Sequence, residues 1–408
     1  MAKVIVIGGG PAGMMAAITA AKTNEVVLLE GKERLGRKLY ITGKGRCNIT
    51  NAKDISEFFD YIPGNPTFLY SALYTFTNED VMSMFNNNGV PLKVERGDRV
   101  FPVSDKSSDI IGLFQKLLSQ ESVDVRLNSK VVDITIEDSK LKEVVLSSGD
   151  TIKGDYFIFA TGGKSYPLTG STGEGYKFAK KMGHKIIEPK ASLVPIILKE
   201  ANIKELQGLS LKNVKVNLLR NNKVIYSDLG EMLFTHFGAS GPIILSASRH
   251  IKENNKYSIS INLKPALTEE ELDTRIQKDF KEYSNKDYKN SLDDLLPKKL
   301  INYVVNRSGI SPDKKVHSIT KGERLSLVKL LQNLTFEVEG LRPIAEAIVT
   351  AGGISVKEIN PSTMQSKLIS NVSFCGELID VDAFTGGYNV QIAISTGYIA
   401  GKEISIDA

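Results

Sequence analysis

Cysteine is nearly absent from this 408-residue chain, with Cys47 and Cys375 far apart in sequence. Neither a disulfide framework nor a CxxC redox motif can be built from them. Histidine is scarce too: His184, His236, His250 and His317 stand singly, so no HExxH pair or Cys/His cluster is offered to zinc. No apolar run reaches the roughly 18 residues that would suggest a membrane span. Charge of one sign is not in large excess. Lys plus Arg number 52 against 47 Asp plus Glu, and the resulting +5 is too dilute to argue for nucleic acid by itself. There is no internal repeat and no low-complexity tract.

These absences leave a reducing, cytoplasmic globular protein as the expectation, and 41% hydrophobic with 24% charged residues fit it. The length exceeds one ordinary core, so two or three packed units are expected. The opening AKVIVIGGGPAGMMAAITAAK resembles a secretory signal at first sight. Its apolar run is broken early by GGGPAG, and Lys3 alone makes a poor basic region, so it is read as part of the fold.

Residues 3–8 (KVIVIG) form a short continuous apolar run, the pattern of a buried parallel strand. An Ala-rich helix over 11–22 and a second strand over 25–30 (EVVLLE) complete a βαβ unit. A Gly-rich basic loop covers 31–52. Helices are predicted near 78–87 and 109–119, and strands at 123–127, 130–136, 142–147 and 151–159. Composition changes near residue 190. Residues 191–265 hold short strand-like stretches that predict a small barrel or sheet, and residues 266–342 are charged and helical. Residues 343–408 return to the early style. The organisation expected is an α/β dinucleotide domain (1–190 and 343–408) interrupted by a β-barrel-like insert and a helical one.

Gly8, Gly10 and Gly13 form GxGxxG directly after the first strand and at the start of a helix. Gly8 permits the tight turn, Gly10 lets backbone approach a pyrophosphate, and Gly13 lets helix pack on strand. Pro11 suits the first helical position, and Ala12 sits in the same first turn. Free amides and the positive end of the helix dipole face the phosphates. Glu30 ends the second strand, where a carboxylate accepts ribose hydroxyls and argues against a 2′-phosphate. In GRKLYITGKGRCNITN (36–51), Arg37, Lys38, Lys44 and Arg46 occur with glycines and no acid. That points to phosphate or to the electron-rich end of a flavin. Gly43, Gly45, Cys47 and Asn48 belong to the same stretch. It is not a Walker loop, because no GK is followed by Ser or Thr after the required spacing.

The stretches IGGGPAGMMAA, GRKLYITGKGRCNITN, FATGGKSYPLTGSTGEGYKFAKKMGH, GEMLFTHFGASGP, VTAGGI and CGELIDVDAFTGGYNVQIAISTG occur in that order. Together they resemble the BaiN/YhiN-like family of NAD(P)/FAD-dependent oxidoreductases, flavoproteins related in their flavin domain to succinate dehydrogenase and fumarate reductase. The resemblance implies a Rossmann-like FAD-binding domain with an insert of a small β-barrel plus a helical subdomain. It implies that Thr161 and Gly162 touch FAD, and that Gly376 and Glu377, with Asp380 close by, lie near the ribityl and phosphate region. Gly386, Gly387, Tyr388, Asn389 and Val390 then open a helix whose amides face the flavin edge. Cys375 stands where the family usually has a smaller residue.

For chemistry at the ring, His236, Arg46 and Tyr388 are the candidates, His236 in a buried loop of the insert. Cys47 reads as a small packing residue and His184 as a surface helix end. GSTGEG (170–175) lacks the strand and acid of a second nucleotide site, so NAD(P)H is expected only as a transient reductant. The expected activity is an FAD-dependent oxidoreductase acting on a small unsaturated or keto substrate in a cleft between flavin domain and insert. An RNA-modifying enzyme and a flavin-dependent sensor are the alternatives. Nucleic acid and membrane are not expected partners, because the charges of the helical insert are mixed.

Overall fold

The computed structural model describes residues 1–252 and 255–404, and the chain divides into two compact units. One comprises Met1–Ser192 with the segment from Ile344 onward; the other is Leu193–Pro343.

The first unit is built on a five-stranded parallel sheet, ordered Val372–Phe374, Tyr156–Phe159, Lys3–Ile7, Glu25–Leu29, Asp124–Arg126. Val4, Ile5, Val6, Phe157 and Ile158 are fully buried, as expected of strands covered on both faces. The helix Pro11–Ala20 follows the first strand and buries every residue from Ala12 to Ala20. Small side chains make this double coverage workable. The C-terminal helix Tyr388–Lys402 crosses it so closely that β-carbons added at Gly397 and Gly401 would lie 2.2 and 2.3 Å from the carbonyl oxygens of Ala12 and Ala16. This backbone contact returns the end of the chain to the glycine turn at its beginning.

The strand predicted over 151–159 is two strands. Thr151–Lys153 belongs to a three-stranded antiparallel sheet and Tyr156–Phe159 to the parallel one. Gly154 allows the switch, since a β-carbon there would sit 2.6 Å from Ile5 Cγ1. The loop predicted over 31–52 also contains a helix, Arg37–Ile41, and a 3-10 turn, Thr42–Gly45.

The second unit is a closed six-stranded barrel, ordered Ile196–Leu198, Gly238–Ser240, Lys223–Thr235, Ser210–Arg220, Tyr257–Asn262, Leu334–Leu341. Its last strand lies inside the range predicted as helical. LTFEVEGL has Leu334 and Phe336 fully buried, and this alternation pairs it with Tyr257–Asn262 on one side and Ile196–Leu198 on the other. Between the fifth and sixth strands run the helices Glu269–Glu282, Lys298–Ser308 and Lys321–Gln332. The first and third open with reciprocal capping boxes, Thr268 with Glu271 and Thr320 with Glu323. Among the described residues, no helix is long and apolar enough to cross a membrane.

Candidate functional site

Three parallel strands of the first unit end together, and the segments after them converge at the carboxyl edge of the sheet, where open α/β sheets place their ligands. After Lys3–Ile7 comes Gly8, with φ +110°, donating its N–H to the Leu29 carbonyl at 2.8 Å. A β-carbon there would lie 2.5 Å from the Ala160 carbonyl oxygen; one at Gly13 would lie 1.8 Å from the Gly8 carbonyl oxygen. Both glycines are therefore demanded by the packing of the protein itself. Gly10 is different. Its φ of −81° and ψ of −178° suit any residue, and nothing lies within 4 Å of the place its β-carbon would take. It caps the helix Pro11–Ala20 without a side-chain bond, so the first-turn amides lack an intrahelical partner.

Glu30 stands beside this turn. One carboxylate oxygen accepts the Gly9 N–H at 2.8 Å and the other the Lys32 N–H at 2.8 Å, which leaves each oxygen a further lone pair. Burial pushes its pKa above the usual carboxylate range against these two bonds. Gly9 was not singled out from sequence, yet a β-carbon on it would meet Leu35 Cδ2 at 2.3 Å and Glu30 Oε2 at 2.9 Å.

The segments after the neighbouring strands supply the remaining wall. Gly376 has φ +70°, and a β-carbon on it would sit 2.8 Å from that of Ala12. Glu377 accepts from Lys38 Nζ at 2.6 Å, Ser165 Oγ at 2.9 Å and Thr350 N at 2.8 Å, while Lys38 Nζ also donates to Ser165 Oγ at 2.5 Å. Lys38 and Glu377 are about four-fifths covered, with side-chain exposures of 21% and 18%. Ser165 and Thr350 carried no sequence signal beyond their place in KS and VTAGG.

Among the described residues of this unit, three buried polar atoms have no partner: Asn48 Oδ1, Thr161 Oγ1 and Tyr176 Oη. Leaving such an atom unsatisfied costs about 1–3 kcal/mol. The Thr161 backbone lies against the turn, its N–H nitrogen 3.1 Å from where a β-carbon of Gly8 would be. Gly162 follows with φ +71°. Uncapped amides, an open approach at Gly10, a carboxylate with spare lone pairs and orphaned acceptors suit the diphosphate and ribose of a dinucleotide such as FAD.

Several expected site residues are placed otherwise. The Arg46 guanidinium is paired with Glu95 and, at 2.7 Å, with Asp105, and lies 4.2 Å over the Phe101 ring. It is a structural ion rather than a free group at the ring. Arg37 pairs with Glu33 at 3.0 Å. Tyr388 is 2% exposed, stacked on Tyr61 at 4.6 Å and edge-on to Phe58 at 4.9 Å. Packing explains it without a reacting partner. Asn389 staples its own loop, accepting from Ala383 N at 2.9 Å and donating to Ala383 O at 2.6 Å. Gly386 and Gly387 both have positive φ and open the helix Tyr388–Lys402, again without a side-chain cap; Val390 lies in its first turn. Asp380 accepts from Asn65 Nδ2 at 3.1 Å. Gly43 (φ +58°), Lys44 (φ +60°), Gly45 (φ +83°) and Cys47 (φ +58°) make a tightly wound turn. Burial pushes the Cys47 thiol up to about 12, which leaves it an inert packing group.

His236 lies in the second unit, at the tip of the hairpin joining Lys223–Thr235 to Gly238–Ser240, where it is exposed instead of buried. His184 is the reverse. Expected at the surface, it is buried, with Glu358 at 3.2 Å and Ser366 at 2.8 Å on its two ring nitrogens. Gly183 turns the chain inward just before it, and desolvation lowers its pKa against the pull of Glu358.

The chain is 30% identical to a 3-dehydro-bile acid delta(4,6)-reductase of Clostridium scindens, with 98% of each protein covered. It is 32% identical, over 98% of each, to a ribosomal RNA dihydrouridine synthase of Haemophilus influenzae. That second likeness leaves the expectation of no nucleic-acid partner without support. Among solved structures, the open form of a flavocytochrome c3 fumarate reductase superposes with a TM-score of 0.52 at 17% identity, covering 98% of this chain and 78% of the other. This establishes the shared fold. The description "HI0933-like protein Rossmann domain" matches residues 2–403, and the chain belongs to that family.

Proposed function

We propose that this chain is an FAD-dependent reductase that saturates a carbon–carbon double bond conjugated to a carbonyl. The observation that carries the cofactor assignment is Gly10, a glycine for which the protein's own packing gives no reason but a diphosphate seated on the turn does. The bile-acid and ribosomal RNA relatives, different in substrate, share the chemistry. A 3-keto-4,6-diene and a uracil ring both present a carbon–carbon double bond activated by a neighbouring carbonyl. Bound FAD would supply the hydride equivalent.

The chain's own residues bind and orient. Glu30 would hold the ribose, the first-turn amides the diphosphate, and the orphaned Thr161 and Asn48 oxygens would accept from the remaining cofactor polar groups. The Lys38–Glu377 pair would stiffen the wall beside them. NAD(P)H fits the role of a reductant that docks transiently: every sheet outside the five-stranded one is antiparallel among the described residues, and GSTGEG follows a turn rather than a strand.

Of the two substrate forms, uracil within RNA is favoured by a further ribosomal RNA dihydrouridine synthase, that of Escherichia coli, 29% identical over 98% of this chain and 97% of its own length. The test is anaerobic. Dithionite-reduced holoprotein is mixed with an unmodified ribosomal RNA transcript or with a 3-keto-4,6-dienoic bile acid, following flavin reoxidation and analysing the product. Dihydrouridine in the digested RNA is the expected result. Reoxidation by neither substrate would reject the proposal.

A further inference from the structure

The helix Glu174–Lys181 buries Tyr176, Phe178 and Ala179 and exposes Lys177, Lys180 and Lys181. Spacings of three and four residues put these lysines on one side of the helix. At its first turn the helix touches the candidate cofactor wall: a β-carbon on Gly175 would lie 2.0 Å from Thr161 Oγ1. Lys164, also exposed, packs its stem beside the cap, with Cε 2.7 Å from the β-carbon position of Gly173. At the other end Gly183 reverses the chain, and buried His184 is stitched to Glu358 and Ser366. Together with the pairing of Ile186 with Ile354 and the Ser355 N–H donated to the Lys185 carbonyl, that stitch holds a distant segment alongside. Lys367 N–H donates to Glu358 O, and Lys367 Nζ donates to Lys357 O at 2.9 Å. Lys185, Lys357 and Lys367 are all exposed.

Positive charge is in excess on this face, where Glu174 of the same helix pairs with Lys130 at 2.6 Å and also feels Lys177. Lys181 pairs with Asp133 at 2.7 Å, and the Glu358 carboxylate is engaged by His184 and by the Lys185 N–H. Among the described residues, no carboxylate lies within ion-pair distance of Lys177, Lys180, Lys185, Lys357 or Lys367. Lysines in a last helical turn complement the helix dipole and need no partner for that reason. Lys185, Lys357 and Lys367 lie outside that helix and have no such role. Like charges gathered from three separate segments repel one another in the free protein, and a polyanion relieves the repulsion.

We infer that this lysine face docks the phosphate backbone of RNA and leads the strand toward the cofactor wall; the inference rests on the RNA reading above. The eight-residue helix is about 12 Å long, so a strand following it begins at the site and ends at Lys185. The helix turns both its aromatic rings inward, so contact is with phosphates rather than stacked bases, and affinity is sequence-tolerant and salt-dependent.

The test uses holoprotein, a ribosomal RNA transcript and filter binding across a potassium chloride series. Two variants are compared with wild type: Lys180→Gln, Lys185→Gln, Lys357→Gln and Lys367→Gln together, and the same four positions changed to Arg. Each lost phosphate contact makes the log–log salt slope shallower by about 0.7–0.9, so the Gln variant should lose about 3 in slope and at least tenfold in affinity at moderate salt. The Arg variant should keep both, and both variants should keep wild-type flavin absorption and thermal midpoint. Wild-type slope and affinity in the Gln variant, with dihydrouridine still formed, would overturn the docking face and leave the RNA reading standing. Absence of both RNA binding and dihydrouridine in wild type would overturn that reading and this inference with it. Equal binding of a polyglutamate peptide, competitive with RNA, would assign the face to an acidic protein instead.

Discussion

Replacing Gly10 by alanine separates what the fold needs from what the cofactor needs. The backbone angles at Gly10 are open to any residue, and the added methyl meets no atom of the protein. Two small terms oppose each other: reduced freedom of the unfolded chain stabilises by about 0.4–1 kcal/mol, and alanine is a poorer N-cap than glycine by a similar amount. The apoprotein should therefore unfold within about 2 °C of wild type. Gly13→Ala is the contrast, since its methyl would sit 1.8 Å from the Gly8 carbonyl oxygen and force backbone apart. A cost of about 3 kcal/mol and a midpoint lowered by about 6–12 °C are expected there. FAD binding should respond oppositely to stability. A methyl at Gly10 would hold the diphosphate off the first-turn amides, and two lost charge-assisted hydrogen bonds at about 1.5–3 kcal/mol each weaken binding by about 10²–10⁴-fold. Calorimetry of the apoproteins and titration with FAD by fluorescence quenching measure both quantities. Gly10→Ala protein that binds FAD as wild type does, or that is as unstable as Gly13→Ala, would refute the reasoning.

Lys38→Met should destabilise the first unit by about 1–3 kcal/mol in urea, because Glu377 loses its cation while still largely covered. Adding Glu377→Gln should recover part of that loss, and strict additivity of the two changes would show the pair uncoupled. Glu323 is held down to about 2 by Lys314 and the Thr320 cap. Its contribution is thus fully present above pH 4.5 and lost as pH falls toward 2. Glu323→Gln should therefore be less stable than wild type at pH 6, with the difference vanishing near pH 2 in parallel denaturation curves.

The parts of the site written in local sequence were legible because they depend on neighbours within about twenty residues. Gly13 and Glu30 stand beside the turn through contacts with Gly8 and Gly9, whereas the close packing of Gly8 on the Ala160 carbonyl comes from far along the chain. Side-chain partnership was not legible. Arg37, Lys38 and Arg46 read as free cations in an acid-poor loop, yet Glu33, Glu377, Glu95 and Asp105 neutralise them, three of these acids from far along the chain. The sixth barrel strand was hidden behind a helical stretch for the same reason: its alternation is short, and strands supplied by distant residues complete it.

Sequence alone thus determined that a dinucleotide turn opens this chain, since backbone geometry there follows from glycine, proline and a nearby carboxylate. Tertiary structure alone decided which charges are spent and which remain. Lys185, Lys357 and Lys367 are gathered because strand pairing, backbone hydrogen bonds and buried His184 join their segments, and no one-dimensional charge count registers a patch assembled across nearly two hundred residues. Coulombic fields depend on distance through space, and chain order does not encode it.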